Sequence, residues 1–152
     1  MTNTLTGILI ITICIAPIIY VSIVRRKRKN NLIQRLISET ELTHIAEIDV
    51  RENYLIALDD TNNSLVFQQL KPKSQITSFN LKAISACEIE TLRHSENVDK
   101  GERSVIKSIS LVLTENNKKV KLMLYNQDLT FVLSNELILS KKWENLINKH
   151  IM

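Results

Sequence analysis

Hydrophobic positions change their spacing three times along this chain. Leu5 to Val24 is an apolar run without a charged side chain, and Leu32, Ile33, Leu36 and Ile37 then recur at helical spacing. From Asn53 onward apolar and polar residues alternate as in strands that bury one face, and helical spacing returns at Leu139, Trp143, Leu146, Ile147 and His150 or Ile151. About twenty helical residues at 1.5 Å rise cross a hydrocarbon core of about 30 Å, so the first run predicts a transmembrane helix. Within it Thr6, Thr12 and Ser22 can bond to carbonyls of their own helix, Tyr20 suits a headgroup interface, and Pro17 predicts a kink. The second run predicts a short amphipathic linking helix.

The alternating region divides at its turn residues. Tyr54-Leu55-Ile56-Ala57-Leu58 and Ser64-Leu65-Val66-Phe67 flank Asp59-Asp60-Thr61-Asn62-Asn63, a hairpin signature. Lys71-Pro72-Lys73 breaks the second strand; Ser74 to Phe79 offers a third, and Asn80 to Ile84 a helical turn or bend. His44 to Arg51 fits a strand or a last helical turn. Ser85 to His94 places Cys87, Ile89 and Thr91 on one face and Ala86, Glu88, Glu90 and Leu92 on the other. Ser95 to Arg103, the most polar segment, predicts a mobile loop. Val105 to Thr114 and Val120 to Tyr125 form the clearest hairpin, turning at Glu115-Asn116-Asn117-Lys118. Ser134 or Asn135 can cap the final helix, with Glu136 in its first turn.

Charge gives the first run a direction. Arg25, Arg26, Lys27, Arg28 and Lys29 follow Val24 immediately, whereas residues 1 to 7 carry no Lys or Arg, the reverse of a secretory signal. The positive-inside bias therefore predicts a single-pass protein of the cell membrane, N-terminus outside and C-terminal domain cytoplasmic. The parts are 1–24, extracytoplasmic N-terminus and span; 25–44, basic juxtamembrane segment and linking helix; and 45–152, the cytoplasmic domain. Of 20 Lys plus Arg against 16 Asp plus Glu, the run takes five, leaving 15 against 16. The remainder has no basic face to offer nucleic acid. The run itself is expected to meet anionic lipid headgroups, each basic residue near the surface contributing about 1 kcal/mol.

Candidate chemistry is sparse. Cys14 and Cys87 would have to join the span to the domain, so both read as small apolar residues in a reducing compartment. Cys87 with His44 or His94 would make a thiolate and base, but Cys87 falls on an apolar strand face. His94 and Glu96 lack a third metal ligand at useful spacing. Glu88 and Glu90 match ordinary solvent-facing positions, and Gly101 alone cannot build a phosphate-binding loop. Asp59 to Asn63 lacks the glycine and later Glu of a calcium loop.

Span, linking helix, antiparallel strands and C-terminal amphipathic helix, in that order, resemble the pleckstrin-homology-like superfold. The chain is similar to a group of short, uncharacterised bacterial membrane proteins that join one span to such a domain. The likeness covers about residues 45 to 150 and is carried by Ile56-Ala57-Leu58-Asp59-Asp60 with its Asn turn, Ser85-Ala86-Cys87-Glu88-Ile89, and Glu136-Leu137 through Lys142-Trp143 to Leu146-Ile147-Asn148. It implies an α+β fold, a small antiparallel β-barrel-like domain closed by the C-terminal helix. It also implies a binding or scaffold module; with the sparse chemistry above, the expectation is a non-catalytic module without cofactor or metal, its partners the lipid bilayer and an unknown cytoplasmic or membrane protein. The first two strands enclose an acidic loop, which argues against phosphoinositide binding there. The alternative is a structural or accessory subunit of a larger membrane complex, contacting it through the span and the stripe Leu32, Ile33, Leu36 and Ile37.

Overall fold

The computed structural model describes residues 2–40, 42–72, 74–98, 101–129 and 135–151, with side chains from residue 15 onward except at 96–98 and 101–103. The chain forms two compact units, Met1–Glu41 and Leu42–Met152.

The first unit is one helix, α1 (Thr2–Glu39), which contains Pro17 and runs through the basic residues without a break. Arg and Lys are good helix formers, so nothing in Arg25 to Lys29 stops it, and the expected linking helix is the last part of α1. Among the described residues no helix is long and apolar enough to cross a membrane. This overturns the span placed at Leu5 to Val24 and, with it, the single-pass placement with an outside N-terminus and cytoplasmic domain. Ile15 to Val24, the apolar part with described side chains, covers about 15 Å, half of a hydrocarbon core, before the helix enters five cations. The side chains of Leu5 to Cys14, Thr6 and Thr12 among them, lie outside the described residues. Ser22 Oγ does donate to the Ile18 carbonyl, at 2.8 Å.

The second unit is two antiparallel sheets and a helix. The first sheet has the order β1 (Ile45–Val50), β2 (Tyr54–Asp59), β3 (Ser64–Gln69) and β4 (Ile76–Asn80); a 3-10 turn, Leu81–Ala83, leads to β5 (Ile84–Val98), β6 (Gly101–Glu115) and β7 (Lys118–Asn126) of the second. Helix α2 (Glu136–Ile151) packs on the second sheet and the 3-10 turn. Asparagine makes the tight turns. Asn63 at φ 48° ends the β2–β3 turn, and Asn116 and Asn117, at φ 48° and 64°, form the two-residue connection between the paired Glu115 and Lys118.

Two sheets replace the expected barrel-like closure. Among the described residues no ladder joins β4 to β5 or β1 to β7. The physical reason lies at β5, whose outer edge is taken by side chains of α2 rather than by a strand. Asn148 Oδ1 accepts from the Cys87 amide at 3.1 Å while Asn148 Nδ2 donates to the Cys87 carbonyl at 2.9 Å. Glu144 Oε1 accepts from the Ile89 amide at 3.1 Å.

The core lies between these layers: Tyr54, Ile56, Leu58, Leu65 and Phe67 from the first sheet, Cys87, Leu111, Leu113, Leu122 and Leu124 from the second, and Trp143 and Ile147 from α2. Strands β2 and β3 are more deeply buried than alternation implies. Every residue of β2 is buried, Leu55 and Ala57 included, and so is Val66 of β3. Ser95 to Arg103 is no loop: β5 continues to Val98 and pairs with β6 as far as Gly101, with residues 99 and 100 outside the described set. Because β7 ends opposite Ser108, the far part of that hairpin is a two-stranded ribbon.

Candidate functional site

Helix geometry decides what the basic run can do. At 3.6 residues per turn, five consecutive residues pass through more than a full circle, so Arg25 to Lys29 form a cationic collar around α1 rather than a charged face. All five are exposed. On their N-terminal side Ile15, Ile18, Ile19, Tyr20, Val21, Ile23 and Val24 are exposed as well, Tyr20 at 70% and Ile18 at 66%. Scattered single apolar residues are normal at a surface; a contiguous set of seven marks a contact surface. The stripe on the other side is uneven. Leu36 is buried, Leu32 and Ile33 are half-buried, and Ile37 is exposed. Arg35 and Glu39 close an exposed i, i+4 ion pair at 2.6 Å.

In the second unit two groups of polar side chains are engaged with one another or with the backbone. Lys142 Nζ on α2 donates to Glu47 Oε1 at 2.8 Å and Asp49 Oδ2 at 3.0 Å, and Trp143 Nε1 donates to the same Asp49 oxygen at 2.9 Å. Glu47 and Asp49 are two apart on β1, so both reach the same helix. Nearby, the Tyr54 hydroxyl is buried with no hydrogen-bond partner among the described residues. Burial pushes its pKa up to about 12, against a smaller opposing pull from the Arg51 charge. A second knot surrounds Asp59, fully buried at the end of β2. Its Oδ2 accepts from the Thr43 amide at 2.7 Å and the His44 amide at 3.3 Å, and its Oδ1 from the Thr61 and Asn62 amides at 3.0 Å each.

The side chains that nucleophilic or metal chemistry would need are placed otherwise. Cys87 is buried, and burial, followed by the charges of Glu144 and Glu88, pushes its thiol up to about 12. In a Cys14→Ser chain, Cys87 should therefore resist alkylation by iodoacetamide at neutral pH and react at the normal thiol rate in urea; fast labelling of Cys87 in the folded chain would contradict the burial. Glu88 and Glu90 are exposed, with Glu90 accepting from Lys121 Nζ at 2.6 Å. His44 is tied to Asp60 at 2.7 Å and His94 is exposed, while the Glu96 side chain lies outside the described residues. Among the described residues no group of three His, Cys, Asp or Glu could hold a metal ion. Sequence reasoning missed the Asp59 knot and the Asn148 and Glu144 cover of β5, whose long-range bonds join residues 15 to 61 positions apart. No protein-family model, curated protein or solved structure matches the chain.

Proposed function

We propose that the chain is a non-catalytic binding module, with α1 resting on an anionic lipid surface and the second unit serving as a rigid platform for a protein partner. The observation that carries this reading is the exposed apolar set Ile15 to Val24 ending at the cationic collar Arg25 to Lys29. Such a helix gains from burying apolar side chains at the headgroup boundary and from pairing its cations with lipid phosphates. Spanning is not required. Support for the non-catalytic part comes from the burial of Cys87 and from the engaged or exposed state of the candidate acids and bases with described side chains.

Flotation of the full chain with vesicles tests it. Vesicles of phosphatidylcholine and phosphatidylglycerol should carry the protein upward, phosphatidylcholine alone should not, and salt should release it. Replacing Arg25, Arg26, Lys27, Arg28 and Lys29 together by Gln should weaken binding at least about a hundredfold, since each cation contributes about 1 kcal/mol. Equal flotation of that variant, or equal binding to neutral vesicles, would sink the lipid reading.

A further inference from the structure

Two open sheets leave four outer strands, β1, β4, β5 and β7. Unpaired edge groups template pairing with other chains, and three of these edges carry devices that oppose it. Strand β1 has an irregularity between Ile45 and Glu47, and its Glu47 and Asp49 are pinned to α2. Strand β5 is covered by Asn148 and Glu144. Strand β7 exposes Lys118, Lys119 and Lys121. Strand β4 has none of these. Ile76-Thr77-Ser78-Phe79-Asn80 is uncharged, pairs with β3 without a bulge, and exposes Thr77, Ser78 and Asn80.

The register identifies the backbone groups that face outward. Leu81 N–H donates to the Asn63 carbonyl at 2.8 Å, and the pairing of Ser64 with Asn80 places Leu81 opposite Asn63. Hydrogen-bonded and non-hydrogen-bonded pairs alternate along an antiparallel ladder, so Phe79 and Thr77 also bond to β3. Ile76, Ser78 and Asn80 turn their N–H and C=O groups away from it. Along the sequence on both sides of β4 the charge has one sign. Between Asp60 and Glu88 the sequence holds no acidic residue but three lysines, Lys71, Lys73 and Lys82, and Lys71 and Lys82 are exposed beyond the two ends of β4.

We propose that the β4 edge takes an extended peptide segment with acidic residues at both ends of a short uncharged stretch, added to the first sheet as a fifth strand. Backbone bonds to Ile76, Ser78 and Asn80 hold it, and Lys71 and Lys82 select its charge. A second copy of β4 would bring its own lysines toward these, and like charges oppose pairing. The proposal rests on the reading of the second unit as a binding platform and does not depend on the lipid contact of α1.

The test is an NMR titration of the full chain with the synthetic peptide Asp-Glu-Val-Thr-Val-Thr-Asp-Glu and a control with Lys-Lys at both ends. Shift changes and slowed amide exchange are expected at Ile76, Ser78 and Asn80, fading with salt. The control peptide, and the double variant Lys71→Glu with Lys82→Glu against the acidic peptide, should each bind about tenfold more weakly. Ser78→Pro should abolish binding and leave the remaining spectrum intact, since the outward N–H takes no part in the β3 ladder. Undiminished binding by Ser78→Pro, equal binding of the control, shifts confined to another face, or no binding would each overturn the site. So would protection at 76 to 80 that grows with protein concentration in the absence of peptide, which would assign the edge to a second copy. If the peptide fails while flotation succeeds, only the β4 assignment falls; if both fail, the binding-module reading falls with it.

Discussion

Trp143→Ala is expected to cost about 3–5 kcal/mol of folding free energy, the range for deleting a large aromatic from a packed core. Domains of this size have about 5–15 kcal/mol in total, so the variant should lose a large part of its stability. Trp143 has no exposed surface and belongs to a core cluster drawn from all three layers of the second unit. Its loss also strands Asp49, whose Oδ2 accepts from both Trp143 Nε1 and Lys142 Nζ. Trp143→Phe separates the two contributions. It keeps most of the buried area and leaves Asp49 its lysine, so about 1.5–3 kcal/mol should be lost, the scale of one hydrogen bond to a charged group. Urea unfolding followed by circular dichroism measures both variants. A Trp143→Ala midpoint close to that of the unaltered chain would mean that α2 does not hold the sheets together. Since Trp143 is the only tryptophan, its fluorescence in the unaltered chain reports the docking of α2 directly.

The elements that could be read from the sequence are those whose signals are local. The Asp59 to Asn63 turn lies where short polar side chains stabilise tight turns, and Asn116-Asn117 falls between two alternating runs that pair from Glu115 with Lys118 onward. The apolar stripe of α2 repeats at helical spacing, and the structure buries Leu139, Trp143 and Ile147 on it. What failed depended on neighbours the local pattern does not contain. A run of five cations reads as the end of a span, yet a cation is no obstacle to helix propagation, and α1 continues to Glu39. The polar residues from Ser95 to Arg103 look like a loop because they lack apolar alternation, yet their backbone pairs in a two-stranded ribbon beyond the end of β7.

Closure was misjudged for a similar reason. Antiparallel strands with a terminal helix are compatible with a barrel or with two open sheets, and the choice depends on what meets the edge of β5. Asn148 answers that edge with a carboxamide that imitates a neighbouring peptide group, 61 positions away in sequence. Nothing in the spacing of Asn148 marks it for this role. The lack of charge along β4 was equally visible from the start, but it acquires meaning only when the other three edges are seen to be guarded.

The second large effect is expected at Asp59. Burial alone would raise the pKa of this carboxyl, but the backbone N–H groups of Asn62, Thr43 and His44, with the Thr43 hydroxyl, outweigh it and bring the value down to about 2. An ordinary aspartate titrates near 3.8. A folded-state pKa below the unfolded value favours the folded chain wherever the carboxyl is ionised. That stabilisation is therefore complete above about pH 4 and disappears as the pH falls toward 2. Asp59→Asn keeps the shape but turns an amide NH2 toward N–H donors, since Oδ1 and Oδ2 each accept from two backbone amides. At neutral pH the variant should lose about 2–4 kcal/mol, with donors at the β2 end left without an acceptor and a charged hydrogen-bond network removed. Below pH 4 the two stability curves should converge, because the unaltered carboxyl is then being protonated while the variant has nothing to titrate. Urea midpoints from pH 7 to pH 2 give both curves. If they run parallel through that interval, the ionised carboxylate is not what ties the start of β1 to the β2–β3 turn.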